Sequence, residues 1–253
     1  MIRYKLLIFL LVLEFPSVGQ DDAGMIFRKA TNQFLTTNME IFVKVEETDT
    51  RGRIKEKSYE VLMGKFGEVE KTMMTMQKPE RARGITIIYT HLPDEIGIVE
   101  VYTPANGKTR KMKATQENMA RVGSNFSLSN FAASDHDDLS FVNLGKLQVD
   151  GISCYQIEVT EQLDSADFKT EFSIEESTYY IVKIVSFDQA GNQTRITRLS
   201  DFQPIDGLKE KIQPMLILAE DIENKMHTRM QVLDISPRTD LKEEDFSIQG
   251  TIE

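Results

Sequence analysis

The sequence predicts a mainly β chain of the α+β class, in which one curved antiparallel sheet is covered by helices on its concave side. After one amphipathic helix near the start, apolar residues alternate with polar ones at a period of two. Gly, Pro, Asn and Asp interrupt these runs about every dozen residues, as in a meander of hairpins. Ile85–Tyr89 and Ile96–Tyr102 are apolar on both faces, so both faces of the sheet must be covered there. About a dozen antiparallel strands do not lie flat, and they curl, close or split into two sheets.

Residues 1–20 have the pattern of a secretory signal peptide that is cleaved from the mature chain. Arg3 and Lys5 form a basic start, Leu6–Leu13 is an unbroken apolar run, and small residues of a cleavage site follow. An uncleaved anchor is the alternative, but this run is shorter than the roughly 20 apolar residues of a membrane-spanning helix. No Cys for lipid attachment lies near the cut. We therefore expect an exported, soluble product, with residues 21–253 as a single domain because no linker divides them.

The elements of the mature chain follow from the positions of apolar and turn residues. Asp21 and Asp22 can cap a helix over Met25–Leu35, whose apolar residues recur at helical spacing. Ala114–Ser140 lacks strand alternation and predicts short helices and loop, and Leu241–Phe246 predicts a final helical turn. The predicted strands, each bounded by turn residues, are Met39–Val45, Tyr59–Met63, Val69–Met76, Gly84–Tyr89, Ile96–Tyr102, Thr109–Lys113, Phe141–Val149, Ile152–Thr160, Phe172–Ile174, Tyr179–Phe187, Thr194–Leu199, Met215–Asp221 and Thr228–Ile235.

The composition excludes several functional classes. The 253 residues carry 30 basic and 40 acidic side chains, a formal charge of −10. That balance argues against a general nucleic-acid binder and against a protein held on anionic lipid by charge. A single Cys excludes an internal disulfide and a Cys-based zinc site. This residue, Cys154, lies in a strand-like run, where we expect a buried, small hydrophobic side chain.

The sequence contains no pattern that predicts catalysis. The three His residues are far apart, and no phosphate-binding glycine loop or nucleophile elbow is present. The cluster Ser134–Asp138 can be interpreted as a cation site or as a charged, solvated loop. We expect no enzyme activity, no metal and no cofactor.

The methionines and the strands with two apolar faces predict a cavity for flexible chains. Met fills irregular gaps and is common on adaptable apolar binding surfaces, although ordinary core packing explains any one of the 12 residues. Arg28, Arg110 and Arg121 lie beside apolar runs, where each either contacts a headgroup or is simply exposed. The candidate cavity residues are Met73, Ile85, Ile87, Tyr89, Val99, Val101 and Met112.

Several short motifs follow one another along nearly the whole mature chain. They are Ile41–Val45 leading to Arg51-Gly52, Met76–Ile85 with its Pro and Gly before an apolar strand, Glu100–Pro104 followed by Lys108–Met112, Gly123–Ser127, Tyr179–Lys183 followed by Asp188–Asn192, and Asp245–Ser247. Their order resembles that of the periplasmic outer-membrane lipoprotein-sorting proteins, the LolA-like family. One departure is Asn125, which stands where the family has an acidic residue, and Asn130 replaces a later acidic position.

The resemblance implies an antiparallel sheet curled into an incomplete barrel, with helices as a lid and lipid acyl chains in the cavity between them. A carrier of this kind takes lipid or lipoprotein from an inner-membrane transporter and delivers it to an outer-membrane acceptor. The alternatives are an envelope sensor that uses the same groove to detect lipids or mislocalised lipoproteins, and a hydrolase. The lid candidates in this chain are Ile26, Phe27, Phe34, Phe126, Leu128 and Phe131.

Overall fold

The computed structural model describes residues 22–34, 38–92, 95–114, 139–163 and 166–248. One helix and thirteen strands account for most of these residues, and the strands form a single antiparallel sheet in the order β6-β5-β4-β3-β2-β1-β13-β12-β11-β10-β9-β8-β7. The two edge strands are not paired with each other in the described chain, so the sheet is not closed into a barrel. The predicted mainly β class is therefore confirmed. The elements are α1 Ala23–Thr31, β1 Met39–Thr48, β2 Ile54–Phe66, β3 Val69–Lys78, β4 Thr86–Leu92, β5 Glu95–Thr103, β6 Lys108–Lys113, β7 Leu139–Val149, β8 Ile152–Leu163, β9 Ala166–Glu175, β10 Ile181–Phe187, β11 Gln193–Ile205, β12 Leu208–Asp221 and β13 Met226–Pro237.

The order of strands shows two halves that meet at β13. Strands β1 to β6 run outward from the centre in chain order, and β7 to β12 run back from the opposite edge. The last strand pairs with β1 on one side and with β12 on the other. Within the described sheet, β13 therefore connects the half formed by β1 to β6 with the half formed by β7 to β12.

Helix α1 lies on one face of the sheet, which we call the inner face. Its N-cap is Asp22, whose carboxylate accepts a hydrogen bond from the backbone N–H of Gly24 at 3.1 Å. The Phe27 ring packs edge-on against Phe172 of β9, with ring centroids 4.9 Å apart. The buried residues of α1 join a core of apolar side chains from β8 to β11, with partly buried β7 residues packed against it.

The helix is shorter than the predicted span Met25–Leu35. Its last residue is Thr31, and the chain then leaves the helical path because its polar groups find partners on the sheet. The backbone carbonyl of Gln33 accepts a hydrogen bond from the Ile212 N–H of β12 at 2.8 Å, and its side-chain amide donates to the Thr178 carbonyl at 2.9 Å. Leu35 lies outside the described residues.

The C-terminal segment covers part of the opposite, outer face. Leu241 and Phe246 pack on a cluster formed by Leu62, Met73 and Ile88 of neighbouring strands. A Cβ atom added at Gly64 would lie 2.8 Å from the Phe246 ring, so this ring rests directly on the β2 backbone. The expected final turn is present as a 3-10 turn at Glu243–Asp245. The outer face of β2 to β4 thus has a cover of its own, which accounts for the apolar outer side of Ile85–Tyr89. In the second strand expected to be covered on both faces, Ile96–Tyr102, Ile96 is 50% exposed.

Several strands are longer than their apolar patterns predicted. Strand β9 spans Ala166–Glu175 rather than Phe172–Ile174 because charged residues also take ladder positions on the outer face. Lys169 pairs there with Glu158 of β8 at 2.7 Å and with Glu171 at 3.1 Å. The buried Cys154 confirms the expectation of a small apolar side chain, and burial raises the pKa of its thiol.

Candidate functional site

The inner face carries a continuous apolar row across neighbouring strands. Residues directly opposite each other in an antiparallel ladder point to the same face, so the strand register identifies the row. From β5 to β13, this row consists of Val101, Ile87, Met74, Val61, Ile41 and Ile235. The apolar row then continues on the same face to the core beneath α1, through Val45, Met230, Ile217 and Leu199.

The two halves of this face differ in what lies on them. In the described chain α1 is the one α-helix, and its core involves strands β7 to β11. Val99 of β5 is fully buried. Val61 and Met63 of β2 are buried as well. The other inner-face apolar side chains of β2 to β6 are half-buried, and we call this set the methionine-rich surface: Tyr59, Met74, Met76, Ile87, Tyr89, Val101 and Met112.

The structure brings most of the predicted cavity residues together. Ile87, Tyr89, Val99, Val101 and Met112 are linked on one face by the register of β4, β5 and β6. Ile85 directly precedes β4, and its carbonyl accepts a hydrogen bond from the Met76 N–H at 2.9 Å. Met73 is placed differently, because it points to the outer face opposite Leu62 and Ile88 and is buried with Phe246.

The predicted lid residues are placed in part. Ile26, Phe27 and Phe34 are buried on the inner face at the β7–β11 half, away from the methionine-rich surface. Phe126, Leu128 and Phe131 lie outside the described residues, as do Arg121, Asn125, Asn130 and the cluster Ser134–Asp138.

Sequence reasoning missed three members of the methionine-rich surface, Tyr59, Met74 and Met76. The signal for the two methionines was the two-residue alternation of β3. Met74 has Thr72 and Met76 as its same-face neighbours, whereas Met73 lies between Lys71 and Thr75. The face with two methionines was therefore the better candidate for an apolar surface. Tyr59 is opposite Met76 and carries the surface onto β2.

Two tyrosines give this surface polar groups that remain uncharged. Burial raises the pKa of Tyr59 to about 12, with a smaller contribution from the nearby carboxylate of Glu47. Burial, followed by the charge of Glu70, also raises the pKa of Tyr89. Both hydroxyls therefore stay protonated at neutral pH and can donate hydrogen bonds without placing a charge on the apolar face.

One buried polar atom lies on the inner face at the join between the two halves. Gln213 of β12 is 2% exposed, and its side-chain amide donates to the Pro214 carbonyl at 3.1 Å. None of the described residues offers a hydrogen-bond partner to its Oε1 atom. Gln213 points to the same face of β12 as Met215 and Ile217. These two residues belong to the central core, a cluster of apolar side chains from β1, β2 and β11 to β13 that includes Ile41, Val61 and Val232.

The described residues offer neither a metal centre nor a membrane-spanning helix. No three His, Cys, Asp or Glu side chains within the described ranges are grouped so that they could hold a metal ion. None of the described helical residues forms a helix with the length and apolar character that crossing a membrane requires. The chemistry available on the inner face is apolar contact, supplemented by a few neutral hydrogen-bonding groups.

Solved structures with the same fold come from several bacteria. A protein of the DUF1329 family from Desulfovibrio piger is 16% identical, with a TM-score of 0.77 over 91% of this chain and 99% of that one. A domain described as an outer membrane lipoprotein-sorting protein, from Vibrio parahaemolyticus, is 12% identical, with a TM-score of 0.78 over 90% and 97%. A LolA superfamily protein from Nitrosomonas europaea is 18% identical, with a TM-score of 0.68 over 89% and 97%. At these identities the likeness concerns the fold, and it confirms the resemblance to LolA-like proteins at that level.

Sequence comparisons place the chain in a family. The comparison with curated protein sequences gave no match. A family model described as an uncharacterized protein matches residues 68–250, which include the strands from β3 to β13. Because this match covers well over half of the sequence, the chain belongs to that family, whose fold is the open LolA-like sheet.

Proposed function

We propose that the protein is a soluble periplasmic carrier that binds acyl chains of lipids or lipoproteins on the methionine-rich surface and shuttles them toward the outer membrane. The observation that carries this proposal is the row Val101, Ile87 and Met74, which continues the central core onto a half of the sheet where the apolar side chains are half-buried. The function is binding, and we propose no catalytic step.

The chemistry of the surface suits hydrocarbon chains. Burying each CH₂ group contributes about 0.8 kcal/mol, so a carrier needs extended apolar contact to hold an acyl chain against a membrane. Met side chains adapt to chains of varied shape because they are unbranched and flexible. The neutral hydroxyls of Tyr59 and Tyr89 can meet ester or amide groups without the cost of burying a charge.

The fold neighbours and the chain's start support the cellular setting. Two neighbours carry the names lipoprotein-sorting domain and LolA superfamily. The signal-like residues 1–20 suit export to the compartment between two membranes. In that setting the donor is an inner-membrane transporter and the acceptor lies in the outer membrane. Release requires a second state of similar free energy in which the acyl surface is less favourable for the chain.

The experiment is a titration of the mature chain with a fluorescent fatty acid, combined with native mass spectrometry of protein purified from the periplasm. We expect one or two bound acyl species per chain and saturable binding. Ile87→Asp and Val101→Asp should each weaken the affinity at least about tenfold, which corresponds to a loss of about 1.4 kcal/mol or more. Leu218→Asp is the matched control, since Leu218 is exposed on β12.

The variants must be compared as folded proteins. Circular dichroism and thermal unfolding identify variants that fail to fold, and Ile87→Thr is a milder substitution at the same position. Absence of saturable fatty-acid binding by the folded wild-type chain, or equal binding by wild type and both Asp variants, contradicts the proposal.

A further inference from the structure

The hairpin turns of the molecule are sharply divided by charge. Three of them lie at the same end of the β1–β6 half; together with the strand residues that flank them they span residues 49–55, 78–85 and 104–110, and we call these segments the basic rim. Together they hold eight basic and two acidic side chains. The other described hairpin turns, counted without flanking strand residues, each contain an acidic residue, and only the last also has a basic one: 67–68, 150–151, 176–180, 188–192, 206–207 and 222–225. A chain with a formal charge of −10 therefore presents a positive edge at this end of the β1–β6 half, whereas turns 188–192 and 222–225, at the same end of the other half, carry no positive excess.

The cations of this rim are available to a partner. Arg51, Arg81, Lys108 and Arg110 are exposed, and the ion pairs within the described chain do not include them. Arg53 and Arg83 each approach only a carboxylate of their own turn, Asp49 at 2.6 Å and Glu80 at 3.6 Å. Such exposed pairs contribute little to stability, and an anionic surface can compete for them.

The turns also form a connected edge beside the methionine-rich surface. A Cβ atom at Gly84 would lie 3.1 Å from the Pro104 ring, so the second and third turns touch. Arg110 is opposite Val101 on the inner face of the edge strand. Ile85 of the second turn continues the apolar surface to the rim. The basic side chains of the rim therefore border the end of the methionine-rich surface, where an acyl chain would enter or leave.

The first turn adds an exposed apolar side chain among cations. Ile54 is 68% exposed, more than any other large hydrophobic residue of the described chain, and Arg53 and Lys55 flank it. The β1–β2 ladder continues to Ile54, whereas β3 begins to pair with β2 only at Ser58, so this hairpin projects beyond β3. On its other side, β13 pairs with β1 as far as Thr48. An apolar tip between basic residues is the arrangement that inserts into the interface of an anionic bilayer.

We propose that the basic rim is a docking surface for an anionic membrane, on which the protein rests with the Ile54 hairpin in the interface while an acyl chain moves between the bilayer and the methionine-rich surface. This inference rests on the proposed carrier function and adds the surface on which loading or release takes place. Each Lys or Arg near a negatively charged leaflet contributes to attraction that acts within about 10 Å at 0.1 M salt. Docking is therefore transient and sensitive to salt, as a shuttle requires.

The protein contains no Trp, so a single introduced Trp reports on its own surroundings. Ile54→Trp should show a blue-shifted emission with vesicles of phosphatidylcholine containing 30 mol% phosphatidylglycerol, and no shift with pure phosphatidylcholine. Raising the salt from 50 to 500 mM should reverse the shift. Leu233→Trp is the matched control, because Leu233 is 55% exposed on β13 away from the rim, and its emission should not change.

Vesicle flotation tests the charges themselves. The variant Arg51→Gln/Arg81→Gln/Lys108→Gln/Arg110→Gln should bind the anionic vesicles at least about tenfold more weakly than wild type. The control Lys65→Gln/Lys146→Gln/Arg198→Gln/Lys242→Gln removes the same charge from exposed positions outside the rim and should bind as wild type does. Equal loss in both variants, or no anionic-lipid dependence for wild type and Ile54→Trp, overturns the docking proposal.

Fatty-acid binding in solution separates this inference from the carrier function. If the rim variant binds the fluorescent fatty acid normally but loses vesicle binding, both proposals stand. If wild type binds fatty acid but not anionic vesicles, the carrier proposal stands and the docking proposal fails. If wild type binds anionic vesicles but not fatty acid, the docking proposal stands and the carrier proposal fails.

Discussion

Gln213 shows how a single side chain can be more polar than its surroundings. It is 2% exposed, and its buried Oε1 atom lacks a hydrogen-bond partner within the part of the chain that the structure describes. Leaving a buried acceptor unpaired costs about 1–3 kcal/mol, so Gln213→Met should raise the free energy of unfolding by about 1 kcal/mol. Urea denaturation measures the change. Gln203→Met is the control, because Gln203 is the exposed cross-strand partner and its replacement should be nearly neutral. A destabilised Gln213→Met variant would contradict this account.

Tyr59 gives the stability a dependence on alkaline pH. Its pKa is raised from near 10 to about 12, chiefly by burial. The unfolded chain therefore loses this proton at a lower pH than the folded chain does, and the stabilisation is fully present below pH 10 and is lost between about pH 10 and 12. Comparing urea midpoints of wild type and Tyr59→Phe at pH 8 and pH 11 isolates this group. The variant should gain relative to wild type at pH 11, and an unchanged difference would refute the assignment.

Individual residues also show where sequence reasoning reached its limit. The burial of Cys154 followed from its position in an apolar pattern, and the structure confirms it. Ile26 and Phe27 were expected in a lid, and they are buried in the core with strands β8 to β11. The face of Met73 did not follow, because β3 has Met on both of its faces at consecutive positions. The net charge of the sequence also failed to predict where charges cluster on the surface. The net value of −10 says nothing about the basic rim, since total charge does not record which turns a meander brings to one end.

At the scale of an element, the two faces of strand β3 have different roles: the outer face packs in a core, and we propose that the inner face binds acyl chains. Met73 is buried on the outer face with Phe246, whereas the adjacent Met74 is half-buried on the inner face beside Ile87. We expect Met74→Gln to weaken fatty-acid affinity several-fold with little loss of stability. Met73→Gln should instead lower the free energy of unfolding by roughly 1–3 kcal/mol, because it buries an amide among apolar groups, and should leave the affinity of the folded protein unchanged.

These two substitutions are matched in chemistry and differ by one position, so each serves as the other's control. Fatty-acid titration and urea denaturation of both proteins give four values. If both variants lose affinity equally, the outer-face cluster takes part in binding and the assignment of the inner face as the acyl surface is wrong. If neither loses affinity, Met74 does not contact the chain.

At the scale of the whole molecule, the two ends of the chain each cover the other half. Helix α1, near the start, packs on the inner face of strands β7 to β11, while Leu241 and Phe246, near the end, pack on the outer face of β2 to β4. The sequence predicted the strands and these two helical segments from their periodicity. It could not predict that β13 pairs with β1, because alternation specifies which residues share a face of a strand but not which strands become neighbours.

This topology predicts cooperative unfolding of both halves through β13. Val232 of β13 is 3% exposed in the central core, so Val232→Asp places an unpaired carboxylate there and should lower the free energy of unfolding by more than about 3 kcal/mol. Leu233→Asp, one residue on but 55% exposed, should change it little. Hydrogen exchange followed by mass spectrometry should show peptides from β1–β6 and from β8–β12 losing protection together in Val232→Asp. Loss in one half alone would mean that the halves are independent units and that β13 does not couple them.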